Sequence, residues 1–260
     1  MTAIAWPSPP TDLALEPSDV HVWCVPLIQP PAAIAALRGT LGEDERARAA
    51  RFHFDRDRNA YIAARGALRA LAGHYLDRPP EVLAFGYRAK GKPYLTSPPG
   101  DALRFNVSHS GELALIAFAR GREIGVDIER RRPLTDLLSL ARNSFSPSEY
   151  AALCGLPPRD HTEAFFACWS RKEAFIKATG EGVSQLADFD VSVAPSEPAR
   201  LLRVEGEPWG RLPWSLQDLP AFPDYAAALV IEEGPREGPR PRIDCWNWPR
   251  LPDRGHLTPT

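Results

Sequence analysis

Asp127 and Glu129 stand two residues apart inside residues 122–132, a run that reads as a buried strand. In an extended backbone successive side chains point to opposite faces, so Gly125, Asp127 and Glu129 share one face while Ile124, Val126 and Ile128 share the other. Like charges side by side on a sheet repel each other. A hard divalent cation such as Mg2+, which takes carboxylate oxygens, resolves that repulsion. The alternative is a carboxylate pair on the wet face of an amphipathic edge strand. A third carboxylate, Glu173, lies in W-S-R-K-E-A-F-I-K, beside Lys172 and four residues before Lys177. Upstream, N-V-S-H-S-G at 106–111 closes an apolar strand with a polar cluster whose Ser108 and His109 can present a hydroxyl and a ring nitrogen to an anion. Taken together, acids for a metal and a proton lie close in sequence to cations for phosphate.

Lysine usage points to the same stretches. Of the 31 basic residues only Lys90, Lys92, Lys172 and Lys177 are lysine. A compact ammonium on a flexible stem does not exchange freely with a guanidinium fork, so lysines kept in an arginine-biased chain mark places that need that point charge, chance clustering being the alternative. Arg46, Arg48, Arg51, Arg56, Arg58 and Arg65 make the most arginine-dense segment. It reads either as a solvated face paired with Glu43, Asp44, Glu45, Asp55 and Asp57, where each exposed pair is worth about 0 to 1 kcal/mol, or as a phosphate-binding patch.

The elements that must position these residues follow from periodicity. Residues 1–17 are Pro-rich and aperiodic, an arm on the surface or disordered. Residues 19–26 alternate as a first strand. A short helix is predicted over 34–41 and one or two helices over 43–76, with R-F-H-F-D-R-D-R-N as their corner. The G-K-P-Y turn presents Lys92. A three-stranded antiparallel meander is predicted over 103–108, 113–118 and 123–129, which would put His109 on one sheet with the acidic pair. Ser146-Pro147-Ser148-Glu149 reads as a helix start, and a helix runs from about Thr162 to a stop at Gly180. On it Phe165, Trp169, Lys172, Glu173 and Ile176 are predicted to share a stripe. The bland account of its charges is a Glu173–Lys177 pair worth about 0.2 to 0.5 kcal/mol, with Lys172 snorkelling at the core edge. Segments 189–193, 201–205, 214–216 and 225–232 are predicted to build a second small sheet, and residues beyond 234 an irregular tail pinned by Trp246 and Trp248.

A chain of 260 residues with 44% hydrophobic and 25% charged residues is an ordinary globular protein of one large or two modest domains. A net charge of −2 argues against a strong general pull towards nucleic acid, although Arg130, Arg131 and Arg132 form a local basic run. Cys24, Cys154, Cys168 and Cys245 show no C-x-x-C spacing, so neither a zinc site nor a disulfide framework is expected. With no secretory leader pattern and no apolar run long enough to span a bilayer, a cytoplasmic protein without membrane attachment is the expectation.

F-N-V-S-H-S-G, then G-V-D-I-E, then W-S-R-K-E-A-F-I-K-A-T-G-E-G resemble, in that order and spacing, the 4'-phosphopantetheinyl transferases of the larger, two-subdomain type, over roughly residues 46–232. The resemblance implies an α+β fold of two pseudo-symmetric subdomains, each a small mainly antiparallel sheet packed with helices. The divisions expected are an arm at 1–17, subdomains at 18–124 and 125–233, and a Pro/Arg-rich tail at 234–260. It implies coenzyme A as co-substrate, Mg2+ (Mn2+ as a substitute) as cofactor, and transfer of the phosphopantetheine arm to a serine of an acyl or peptidyl carrier protein with release of 3',5'-ADP. Asp127, Glu129 and Glu173 match the metal carboxylates. Lys92, Ser108, His109, Lys172 and Lys177 match positions at the coenzyme's phosphates. The arginine-rich segment matches the adenosine 3'-phosphate region, with Arg48 and Arg58 as its candidates, and the acidic Glu45 stands where a basic residue would be expected. Removing the serine proton requires a base, for which Glu173 is the first candidate and Glu129 the second. A monomer with no nucleic-acid or membrane partner completes the expectation. Two other functions fit the same residues: a Mg2+-dependent phosphohydrolase of coenzyme A or a nucleotide, and a carrier-protein binder without turnover.

Overall fold

The computed structural model describes residues 6–96, 102–180, 186, 188–204, 213–220, 223–233 and 241–248. Its first half contains strand β1 (Asp19–Pro26), helices α1 (Pro31–Gly39), α2 (Glu43–Ala50) and α3 (Asp55–Leu76), the hairpin β2 (Phe85–Tyr87) and β3 (Pro93–Leu95), and the long hairpin β4 (Leu103–Ser110) and β5 (Leu113–Arg120). The second half contains β6 (Ile124–Arg130), helices α4 (Leu137–Ser144), α5 (Pro147–Gly155) and α6 (His161–Thr179), strands β7 (Phe189–Val191), β8 (Leu201–Val204), β9 (Trp214–Asp218) and β10 (Tyr225–Glu232), and a last strand β11 (Arg242–Asn247). The expected helix corner falls between α2 and α3, and the helix start at Ser146 is a capping box in which Ser146 Oγ accepts from Glu149 N and Glu149 Oε2 accepts from Ser146 N.

Two sheets form the middle of the molecule. One has the order β11-β1-β5-β4 and the other β6-β10-β9, while β2-β3 and β7-β8 are separate two-stranded ribbons. Alternation decides how the layers stack. Val20, Val22 and Cys24 of β1, Leu115, Ala117 and Ala119 of β5, Ile124, Val126 and Ile128 of β6, and Leu229 and Ile231 of β10 are buried in one core between the two sheets. The opposite face of the first sheet, with Trp23, Ile116 and Phe118, packs on Leu68 and Leu71 of α3. The opposite face of the second, with Ala228 and Val230, packs on Phe165, Phe175 and Ile176 of α6. This is the expected α+β arrangement of two similar halves, each a helix on a mainly antiparallel sheet.

Three expectations are corrected. The meander over 103–129 is broken: β6 leaves the first sheet and pairs antiparallel with β10, because stacking its Ile124, Val126 and Ile128 on the outer face of β1 and β5 buries them in the core between the sheets. The later segments do not make one sheet by themselves, since β7 and β8 pair only with each other and β9 and β10 extend β6. The tail is not wholly irregular: β11 pairs in parallel with β1, from Asp19↔Arg242 to Cys24↔Asn247, with Trp246 and Trp248 buried. Residues 234–240 and 249–260 of the tail and 1–5 of the arm lie outside the described residues. The rest of the arm is held down, with Trp6 buried and the Pro7 carbonyl accepting from Asn247 N at 2.9 Å. All four cysteines are free, and no helix among the described residues is long and apolar enough to cross a membrane.

Candidate active site

Strands β4 and β6 run side by side although they belong to different sheets, and polar side chains bridge them. Ser108 Oγ donates to Asp127 Oδ1 at 2.8 Å. Lys177 Nζ, from the last turn of α6, donates to the same Oδ1 at 2.6 Å and to Ser108 Oγ at 2.7 Å. Asp127 is only 1% exposed, and its Oδ2 is buried with no hydrogen-bond partner. The helix comes this close because Gly125, on the same face as Asp127, has no side chain. A Cβ there would lie 2.1 Å from the Ala174 carbonyl oxygen and 2.3 Å from Ala178 N, both in the backbone of α6.

Glu173 and Lys177 are one helical turn apart and both look onto β6. The isolated Glu173–Lys177 pair that helix spacing allows is not what forms, since Lys177 bonds across to Asp127. Burial, and then the charge of Asp127, push the Glu173 carboxyl above the usual carboxylate range, with Glu129 adding to the effect and Lys177 opposing it. Glu129 is raised for the same two reasons, against a hydrogen bond from Ser110 and the charges of Lys177 and Arg132. His109, at the β4 end, keeps an exposed side chain, yet partial desolvation of its ring and then Lys177, against Asp127, lower its pKa. Asp127, Glu129, Glu173, Lys177 and His109 therefore share one electrostatic neighbourhood. Among the described residues no three His, Cys, Asp or Glu side chains are drawn together as a metal cluster. The donor types nonetheless fit a hard divalent ion: three carboxylates that repel one another, one with a buried oxygen lacking any donor.

Other residues expected at the site are placed elsewhere. Lys172 is fully buried, with its Nζ donating to Glu149 Oε1 and to the Phe189 carbonyl, each at 2.7 Å. Consecutive helical residues diverge by about 100°, so a helix aiming Glu173 at β6 turns Lys172 towards α5 and β7. The shared stripe expected for these two residues is thus split, and Lys172 is a core ion pair rather than a phosphate contact. Lys92 Nζ donates to Glu123 Oε2 at 3.0 Å and to the carbonyls of Ile124 and Ala178 at 3.2 and 2.9 Å, clamping the β2-β3 hairpin to the start of β6 and the end of α6. Arg48 is exposed on α2 with its guanidinium over the Tyr61 ring, and Arg58 pairs with Asp55 at the head of α3. The unexpected acid Glu45 is buried and bound by Arg65 and Arg69. Burial alone would raise its carboxyl, but these guanidinium groups and the Gly42 amide hold it below the ordinary value.

Sequence reasoning overlooked Asn106, Ser110, Glu123 and Glu149. A signal existed for the first two: Asn106, Ser108 and Ser110 are polar at alternate positions of β4, so they share one face.

The sequence model described as the 4'-phosphopantetheinyl transferase superfamily matches residues 123–230, and that described as 4'-phosphopantetheinyl transferase, N-terminal, matches residues 31–120. The 4'-phosphopantetheinyl transferase HetI of Nostoc sp. is 40% identical over 227 residues, covering 87% of this chain and 93% of its own length. The 4'-phosphopantetheinyl transferase psf-1 of Bacillus pumilus is 32% identical over 201 residues, covering 77% and 82%. Sfp of Bacillus subtilis is 31% identical over 144 residues, covering 55% and 62%. A two-half α+β chain with acids and cations gathered at the join, and with these likenesses, belongs to the 4'-phosphopantetheinyl transferases. Within them it is an enzyme of the larger type, with both halves in one polypeptide.

Proposed function

We propose that this enzyme moves the 4'-phosphopantetheine arm of coenzyme A onto a serine of an apo acyl or peptidyl carrier protein. The serine oxygen attacks the phosphorus bearing the pantetheine arm. The bond from that phosphorus to the bridging oxygen breaks, and 3',5'-ADP leaves. The serine proton passes to a carboxylate, for which the raised Glu173 is the first candidate and Glu129 the second. Asp127, through its free Oδ2, with Glu129 and Glu173 would hold Mg2+, or Mn2+ in its place. When bound, such an ion neutralises charge on the diphosphate. Lys177, Ser108 and His109 border that position and supply the cation and donors that an anionic donor substrate needs. The observation that carries this reading is Lys177 and Ser108 meeting on Asp127 where the two halves join. Arg48 and Arg58, which lie apart from the Asp127 cluster, stay candidates for the 3'-phosphate on the family likeness alone.

Arg130, Arg131 and Arg132 are offered as the docking side for an acidic carrier. Arg131 is half-buried on Glu163 at 3.0 Å, which leaves Arg130 and Arg132 exposed. Since both halves furnish the site, one chain suffices for activity and a monomer is expected.

The test incubates the enzyme with coenzyme A, Mg2+ and several apo carriers. A gain of one phosphopantetheine on the carrier, matched by 3',5'-ADP, is expected. Release of 3',5'-ADP without any carrier would identify a phosphohydrolase instead, and carrier binding that survives Asp127→Ala without modification in the parent enzyme would identify a binder.

A further inference from the structure

We propose that Ser110 is a positioning residue that sets the Glu129 carboxylate in the site, an inference resting on the reading of Glu129 as one of the metal-holding acids. Where β4 meets β6, three alternate side chains of β4 make the contacts. Asn106 Oδ1 accepts from Val126 N at 2.9 Å, and Ser108 Oγ donates to Asp127. Ser110 Oγ accepts from Arg130 N at 3.0 Å and donates to Glu129 Oε2 at 2.8 Å. A hydroxyl has one proton to give. Once its lone pair is fixed on the Arg130 amide, that proton is directed at Glu129. Asn106 serves register alone, because its partner is a backbone amide. Ser110 joins a backbone anchor to a functional side chain.

The anchor itself is stiff. The next residue, Gly111, has φ of 59°, in the left-handed region, and a Cβ there would lie 2.8 Å from the Tyr225 hydroxyl and 2.9 Å from Arg130 Cδ. Tyr225, buried on β10, accepts from Glu112 N at 3.3 Å. The β4-β5 turn is thereby seated against β6 and β10, and Ser110 moves with that seat rather than with Glu129. A glutamate side chain loses roughly 1.5 to 2 kcal/mol of rotamer freedom on being ordered. With Ser110 in place, much of that ordering precedes ion binding.

The test titrates Mn2+ into coenzyme-free enzyme and reads free ion by electron paramagnetic resonance, beside the half-saturating Mg2+ concentration in the transfer assay. Ser110→Ala should weaken Mn2+ binding about tenfold, the low end of the range for partners that orient metal ligands. It should raise half-saturating Mg2+ in step, while KM for coenzyme A at saturating Mg2+ stays within twofold. Ser110→Thr should restore binding to within threefold, and Ser110→Ala combined with Glu129→Gln should bind Mn2+ no more weakly than Glu129→Gln alone. Unchanged Mn2+ affinity in Ser110→Ala, with Glu129→Gln weakened, would overturn the positioning role and leave the metal reading standing, as would additive losses in the double variant. Unchanged affinity in Glu129→Gln would overturn the metal reading and this inference with it. Should Ser110→Ala fold poorly, Ser110→Cys, a weak donor of similar size, should fall between Ala and the parent, and parent-like Mn2+ binding there would count against the proposal.

Discussion

Replacing Gly125 by alanine probes the approach of α6 to β6 more directly than changing any charged residue. The added Cβ would meet the Ala174 carbonyl oxygen at 2.1 Å and the Ala178 nitrogen and Cα at 2.3 and 2.9 Å. All three are backbone atoms, so no flexible side chain can swing aside. Restoring an ordinary contact of 3.4 Å requires α6 to withdraw by roughly 1.3 Å. The Lys177–Asp127 contact, now 2.6 Å, would open to about 3.9 Å, beyond hydrogen-bond reach, and Glu173 would retreat equally. Overpacking of a tight core costs about 1 to 3 kcal/mol, and a clash with rigid backbone belongs at the upper end. For a chain of this size that lowers Tm by about 6 to 12 °C. Displacing catalytic groups by about 1 Å costs on the order of a hundredfold in rate. The assay is initial transfer rate at saturating coenzyme A, Mg2+ and carrier, measured well below the variant's own Tm. A variant with kcat within threefold of the parent would refute the claim that the bare backbone at 125 sets the site, even with a lowered Tm.

Lys172→Met, which leaves the buried Glu149 carboxylate its amide donors Ser146 N and Val191 N but no counter-charge, should destabilise the enzyme by about 3 to 5 kcal/mol, while KM for coenzyme A in the folded fraction stays within twofold; a raised KM at unchanged Tm would show that Lys172 does reach the substrate. Glu45→Gln should likewise lower stability by about 3 to 5 kcal/mol in denaturant melts, because Arg65 and Arg69 lose their common counter-charge and one of its two acceptor oxygens becomes a donor facing a guanidinium; an unchanged midpoint would contradict this. Asp127→Asn should reduce transfer at least a hundredfold with a Tm near the parent's, and a residual rate above one tenth would remove Asp127 from the site. His21 is buried, with its Nδ1 against the Tyr75 hydroxyl at 2.8 Å; burial, together with Arg242 and His74 and against Asp244 and Asp19, lowers its pKa to about 4. The unfolded chain binds that proton first, so stability is full above about pH 6.5 and falls by roughly 3 kcal/mol as pH drops towards 4. Urea melts of His21→Gln should show a correspondingly shallower acid slope, and an identical slope would exclude His21 as its source.

What could be read from the sequence was whatever a short period or a local signal encodes. The alternation around Asp127 and Glu129, with Ile124, Val126 and Ile128 behind them, describes β6 as it stands, and Gly180 ends α6 in the left-handed conformation expected of a helix stop. Direction within a helix was harder. Lys172 and Glu173 are neighbours in the chain, yet only the position of Glu149, 23 residues away, decides that one turns into the core. Topology was hardest. A tight turn such as Gly121, with φ of 65°, serves equally to return a strand to its own sheet or to carry it onto a second one. No local pattern announces that Arg242 will lie beside Asp19.

The parallel union of β11 with β1 has a consequence for synthesis. Val20 to Cys24 leave the ribosome early, paired by β5 on one flank, but the other flank stays open until the chain has grown past Arg242. At about 5 to 20 residues per second that interval is on the order of ten to forty-five seconds. During it an apolar strand offers unmatched amides to any neighbouring nascent chain, the ordinary opening for edge-to-edge aggregation. A message truncated shortly before codon 242 should therefore give inclusion bodies rather than a merely weakened enzyme, and a peptide spanning 241–248 supplied in trans should recover part of the soluble yield.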